Sequence, residues 1–316
     1  MPTANLSQNQ LWLVSCRGVD YQDDDPLAGL TYAVYQPAAG WTTADRAQFE
    51  QGGSPSLATC LLVFGNGYTA ADTRSLGLTV YKRLTAGLPV ETRVRFVIWS
   101  WPSDHADAGR IKDLRIKAAR TTKVAWRLAH WMDEVPSDRR LSLLGTSFGA
   151  RIVLEALELR GGGQLGHLRM ENSSHAAREK ANVVLVSAAL DNDWLLPGHR
   201  LDGAVTQIER LLLVNNTGDS VLKRYHWLYG SRSKAAALGS TGLRMPWAAG
   251  ALGERLLQID AAPIVGRRHG CAPYFESPRL LTAMRSILFH DDEPSPQIPT
   301  DGLRIPVATN QVDGRQ

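Results

Sequence analysis

Cysteine is scarce in this chain: 316 residues contain only Cys16, Cys60 and Cys271, spaced far apart. So few thiols exclude a disulfide framework, and their spacing excludes a cysteine-based zinc site. An odd number of scattered cysteines suits a reducing compartment, and the three read as buried thiols. Long apolar runs are also missing. No segment approaches the roughly 20 apolar residues that cross a bilayer. The start, "MPTANLSQNQLWLVSCRG", has neither a basic leader nor a long apolar stretch. The expectation is a cytoplasmic protein without a membrane span. There is no lysine-arginine block either, because the formal net charge of +4 comes from 35 basic and 31 acidic residues dispersed along the chain. That pattern argues against a nucleic-acid partner. No internal repeat is present, and no metal-ligand spacing.

What the chain does have is enough apolar material for a large core: 44% hydrophobic residues against 21% charged. Short β-like runs alternate with helical patterns, which predicts a mostly parallel sheet covered on both faces. The runs are "QLWLVSC", "TYAVYQ", "TCLLVFG", "RVRFVIWSW", "RLSLLGT", "NVVLVSAAL", "RLLLVNN" and "RLLQIDA", giving an eight-stranded sheet. Helical spacing is clearest at 110–133 (Leu114, Ala118, Val124, Leu128, Trp131) and at 148–160 (Ile152, Val153, Ala156, Leu157). Lys112, Arg115, Lys117, Arg120, Lys123 and Arg127 on the first helix read as a solvated face. Three stretches break the rhythm. Residues 161–180 read as a surface insertion, and 220–253 as an excursion over the sheet edge that would serve as a cap or lid. The proline-rich, polar tail 291–316 reads as disordered, leaving one domain over 1–290.

The stretch most informative about function is "LSLLGTSFGARIVLEAL". Gly145-Thr146-Ser147-Phe148-Gly149 matches G-x-S-x-G, and it follows an apolar run and opens an amphipathic helix, the strand-to-helix context of a nucleophile elbow. Small residues on either side let a strained serine project its hydroxyl into a cleft without collision. The helix start then aims free N–H groups at the reacting oxygen, Phe148's among them. A serine hydroxyl needs a base, and the base needs an acid to fix its tautomer. Of the eight histidines, His269 lies in "APIVGRRHGCAPYFES", after the last strand and before the final helix, where the order Ser, acid, His places the base. For the acid, "RLLLVNNTGDSV" delivers Asp219 after a strongly apolar strand. Asp191 and Asp193 in "LVSAALDNDW" are the competitors. A second oxyanion donor is expected from "LLVFGNGYTAADT", where the backbone N–H of Tyr68 is the candidate. As a phosphate loop, "GNG" is incomplete, lacking the third glycine and the acidic ribose partner.

Taken in order, "LVFGNGY", "FVIWSWPSD", "LLGTSFGA", "NNTGDSVL" and "RRHGCAPYFES", spread over residues 58–290, resemble an α/β-hydrolase, and specifically the uncharacterised bacterial serine-hydrolase families of that superfamily. Asn66 stands where those families carry a histidine. The resemblance implies an α/β-hydrolase fold and two-step acyl transfer. In it Ser147 is the nucleophile, His269 the base and Asp219 the orienting acid, with the Tyr68 and Phe148 amides as the oxyanion hole. It implies a small-molecule ester or related acyl substrate and no cofactor. Asn66, Trp99 and Trp101 are the expected substrate-pocket residues. The alternative from another class is a non-catalytic module of the same fold that binds a ligand or protein.

Overall fold

The computed structural model describes residues 9–52, 57–89, 91–105, 109–135, 141–170, 179–228, 236–243 and 250–289. In chain order these form β1 (Gln10–Ser15), β2 (Thr31–Gln36), β3 (Gly40–Ala44), α1 (Arg46–Gln51), β4 (Ala58–Val63), α2 (Ala70–Thr85), β5 (Val94–Ser100), α3 (Arg110–Glu134), β6 (Ser142–Thr146), α4 (Phe148–Arg160), β7 (Ala181–Val186) and β8 (Ile208–Asn215). After these come α5 (Leu238–Thr241), α6 (Ala251–Glu254), β9 (Leu256–Asp260), α7 (Ala262–Val265), α8 (Ala272–Glu276) and α9 (Pro278–Leu288). One nine-stranded sheet results, in the order β3-β2-β1-β5-β4-β6-β7-β8-β9. From β1 through β9 the pairings are parallel, and only the β1–β2 and β2–β3 pairs are antiparallel.

The sheet therefore has one strand more than the eight expected. The addition, β3, reads Gly-Trp-Thr-Thr-Ala and buries none of its residues. An edge strand with one partner needs no apolar run, and so it leaves no such signal. The central strands show the opposite pattern. All seven residues of β5 and all five of β6 are buried, as a parallel sheet covered on both faces requires.

Alternation along each strand sorts the core into two layers. Val14, Leu61, Val63, Val97, Leu143 and Leu185 face α3 and α4. Leu13, Cys60, Leu62, Ile98, Leu144 and Val184 face α2, α8 and α9. Helix starts follow local chemistry. Thr69 and Asp72 form a capping box on α2, and Ser277 caps α9 with Pro278 in its first turn.

The basic residues of α3 form a solvated face only in part: Lys112 and Arg115 are exposed, while Arg120 and Lys123 are half-buried. Lys117 and Arg127 are each 1% exposed. Arg127 donates to the carbonyls of Asp20, Asp25, Pro26 and Ala28, Lys123 to Tyr21 O and Arg120 to Pro102 O. Loops without ladder partners dock on these cations, and helix periodicity alone cannot register that. Nor are the interrupting stretches wholly superficial. Leu165 and Met170 of the 161–180 stretch are buried, as are Leu222, Tyr225, Ala237, Leu238 and Leu243 of 220–253. Residues 171–178, 229–235 and 244–249, and the tail 291–316, lie outside the described residues.

One buried cation in the core has neither a carboxylate nor a hydrogen-bond acceptor beside it among the described residues. The guanidinium of Arg95, 1% exposed, sits 4.7 Å over the Phe49 ring, and its nitrogens have no hydrogen-bond partner among the described residues. Burial alone holds its pKa below the usual arginine value. An uncompensated buried cation costs stability. Arg95→Met keeps the aliphatic stem and is expected to raise the unfolding free energy by about 1 kcal/mol or more. Denaturant titration reads this directly, and a lowered midpoint would contradict it.

Candidate active site

The connection leaving β4 runs to β5 on one side and that leaving β6 runs to β7 on the other, so the winding of the sheet reverses between these two adjacent, parallel strands. Crevices outside the carboxyl ends of strands at such a switch point are where open α/β sheets bind ligands. Ser147 stands at the end of β6, and Gly65 lies just beyond the end of β4. They nearly touch: a Cβ on Gly65 would lie 2.7 Å from the Ser147 Cβ.

Ser147 has φ 52° and ψ −120°, and apart from Ser187 it is the only non-glycine among the described residues with positive φ. Its N–H donates to Val186 O (3.0 Å), and its carbonyl accepts from Ala150 and Ala189. The flanking glycines are sterically required. A Cβ at Gly145 would sit 2.6 Å from the Ala150 Cα, and one at Gly149 would sit 2.0 Å from the Val63 carbonyl oxygen. A strained turn held on all sides is how a fold stores an otherwise unfavourable conformation at one residue. Phe148 begins α4, so its amide is among those a helix leaves without an intrahelical acceptor.

The Ser147 hydroxyl lies 3.0 Å from His269 Nε2, and His269 Nδ1 lies 2.7 Å from Asp219 Oδ2. Asp219 is fully buried. Its other oxygen, Oδ1, accepts the N–H groups of Val221 and Leu222 (2.8 and 3.0 Å). Those two donors fix the carboxylate and leave one oxygen for the imidazole. The competing acids stand elsewhere. Asp191 accepts from the Tyr225 hydroxyl (2.7 Å), and burial raises its pKa above the usual carboxylate range. Asp193 lies 3.6 Å from His199, and both side chains are partly exposed.

Loop 64–68 after β4 is held by the side chains of Lys117, Asp113 and Arg17, none of which carries a motif signal in the sequence. Lys117 Nζ donates to Asn66 Oδ1 (3.2 Å), Ser103 O, Asp104 O and Asp113 Oδ1 (2.8 Å), and Asn66 Nδ2 reaches Asp113 Oδ2 at 3.5 Å. Arg17 donates to Tyr68 O (2.8 Å), Thr73 Oγ1 and Ser100 Oγ and pairs with Asp104. Asn66 thus anchors the loop with its side chain. Two of the loop's amides are committed, Gly65 N–H to Thr146 Oγ1 and Gly67 N–H to Ser103 O, while those of Asn66 and Tyr68 donate to no group among the described residues. The Tyr68 ring packs on Phe64, and its hydroxyl lies 3.2 Å from Cys271 Sγ.

The two tryptophans expected to line a pocket belong to the core instead. Trp99 is 0% exposed and packs against Trp131; Trp101 is 1% exposed and donates its indole N–H to Phe64 O. β5 is buried on both faces, which leaves the Trp99 side chain no cleft to enter, and Trp101, just past the strand, is tied by its indole to the loop after β4. The pattern "WSWPSD" matters to the site through Ser103, whose hydroxyl donates to Tyr68 O and whose carbonyl accepts from Gly67. All three cysteines are buried and unpaired, and burial raises the thiols of Cys16 and Cys271 to about 11. No group of three or more metal-ligating side chains occurs, and no helix is long and apolar enough to cross a membrane, among the described residues.

No protein-family model matches the chain, and no curated protein matches it. Among solved structures, one described as a "putative cell surface hydrolase" from Lactobacillus plantarum WCFS1 aligns over 76% of this chain and 94% of its own, at 10% identity and a TM-score of 0.40. At that score it bears on neither the activity nor the site.

Proposed function

We propose that this chain is a serine hydrolase of α/β-hydrolase type that cleaves an ester-like bond through an acyl-enzyme, in the manner of a carboxylesterase. The observation that carries the reading is the hydrogen-bonded chain from Ser147 Oγ through His269 to buried Asp219, built on a strained elbow at the switch point of the sheet.

Ser147 Oγ attacks the acyl carbon while His269 Nε2 takes its proton, and Asp219 stabilises the imidazolium through Nδ1. The carbonyl electron pair moves onto oxygen, which is held by the Phe148 N–H and by one amide of loop 64–68. Because the Gly65 and Gly67 amides are committed, the second donor is Asn66 or Tyr68. The contact between Gly65 and Ser147 favours Asn66, the next residue in the chain. When the intermediate collapses, the alcohol leaves with the proton from Nε2, and water activated by the same nitrogen releases the acid. Thioesters, lipid esters and amides would pass through the same residues.

A series of p-nitrophenyl esters of increasing acyl length tests this. Wild type is expected to hydrolyse at least one member, with kcat falling by about 10⁴-fold or more in Ser147→Ala and in His269→Ala. Folded wild type no faster than Ser147→Ala on every ester would overturn the reading.

A further inference from the structure

The three residues of the proposed triad come from three separate loops, following β6, β8 and β9, and a hydrogen-bonded chain forms only if those loops keep register. One buried hydroxyl touches the machinery that aligns them. Tyr274, on α8 just after the His269 loop, is 0% exposed. Its hydroxyl lies 2.6 Å from Ser187 Oγ and accepts from Asn216 Nδ2 at 3.0 Å.

Each partner leads to a different member of the triad. Ser187 follows β7 with φ 46°, the other positive-φ non-glycine among the described residues. Its neighbours Val186 and Ala189 grip Ser147 through that residue's N–H and carbonyl. Asn216, fully buried, donates to Arg268 O (3.1 Å), one residue before the base, and accepts the Gly218 N–H (2.9 Å), one residue before the acid. Ser220 repeats the link between the two loops by donating to Arg267 O from both its N–H and its hydroxyl. Burial raises the Tyr274 phenol to about 12, so it keeps its proton. Asn216 donates to the phenol oxygen, and the phenol and the Ser187 hydroxyl share a hydrogen bond that either can donate, so one oxygen ties the two loops together.

We propose that Tyr274 is a positioning residue: its hydroxyl, bonded at once to Ser187 and Asn216, sets the loops bearing nucleophile, acid and base in register. The role rests on the serine-hydrolase reading above, because register between these loops matters only if the three side chains act together. A misplacement of about 1 Å in a reacting group costs on the order of 100-fold in rate.

Tyr274→Phe removes one oxygen and keeps the ring that fills the core. Its labelling by a fluorophosphonate is expected to slow by about 10- to 100-fold. On any ester that wild type hydrolyses, kcat should fall with little change in KM. Ser187→Ala should slow labelling similarly, and Ser187→Ala combined with Tyr274→Phe no further than either alone. That non-additivity is a readout that general loosening of the fold would not give. The downfield Nδ1 proton of His269, observed on the full chain with ¹⁵N-labelled histidine, supplies the arm that needs no chemistry. It should be present in wild type and broadened or lost in Tyr274→Phe. Labelling within twofold of wild type, or an unchanged His269 proton, overturns the proposal. If wild type itself is not labelled, the hydrolase reading fails, and the proton signal alone then decides whether Tyr274 aligns the loops. Should Tyr274→Phe fail to fold, Ser187→Ala carries both readouts.

Discussion

Asp219→Asn is expected to leave the fold intact and to lower kcat for ester hydrolysis by about 10⁴-fold, with KM little changed. The two oxygens of the carboxylate have different partners. Oδ1 is engaged by the amides of Val221 and Leu222, which can only donate. An asparagine must therefore keep its carbonyl oxygen there and turn its NH₂ toward His269 Nδ1, now 2.7 Å from Oδ2. Facing a donor, Nδ1 becomes an acceptor, and the proton of the neutral ring moves to Nε2. The nitrogen 3.0 Å from Ser147 Oγ can then no longer take the serine proton. The side chain keeps its size and its backbone contacts, so the thermal midpoint should move little. Steady-state kinetics beside a melting curve separate the two effects. An unchanged kcat would mean that Asp219 caps its own turn and does no more.

Gly149→Ala is the second large effect, and it acts through structure before chemistry. Its Cβ would lie 2.0 Å from the Val63 carbonyl oxygen and 2.8 Å from that of Phe64, both backbone atoms of β4 and the residue after it. Backbone in the middle of a parallel sheet cannot yield as a flexible side chain does. The start of α4 has to move away, carrying Ser147 and the Phe148 amide with it. We expect a loss of about 3 kcal/mol or more in unfolding free energy, at the upper end of overpacking costs, and fluorophosphonate labelling too slow to detect in the fraction that folds. Gly18→Ala is the matched control, since a Cβ there meets nothing within 4 Å. It should stay within about 0.5 kcal/mol of wild type. A fully stable, fully labelled Gly149→Ala protein would show that the elbow is not packed against β4 as described.

These two residues also show which parts of the site were legible in the sequence. Gly149 was readable because the demand it meets is local: strand, tight turn and helix in five residues permit little else. His269 and Asp219 were readable as positions, since each follows an apolar strand in the order Ser, acid, His. The competing Asp191 and Asp193 follow a strand equally well, and only the loops' paths in space separate them from Asp219. Lys117, Asp113, Arg17 and Tyr274 left no signal of that kind. A buried lysine one turn from its aspartate looks the same in sequence as an exposed pair on a solvated helix. The tyrosine's role depends on contacts with residues 58 and 87 positions earlier. Trp99 and Trp101 misled for a related reason, since lying beside a cleft in the chain does not decide which face of a fully buried strand a side chain occupies. β3 was missed because a half-buried edge strand has no apolar pattern to detect.

If Ser147 is an activated nucleophile, covalent capture will record it without any choice of substrate. Folded wild type would be treated with a fluorophosphonate, digested, and mapped by mass spectrometry beside Ser147→Ala and His269→Ala. We expect a single phosphonyl adduct on Ser147 in wild type, none in Ser147→Ala, and at most trace adduct in His269→Ala. An adduct on another residue, or none on Ser147 in folded wild type, would contradict the activation of Ser147.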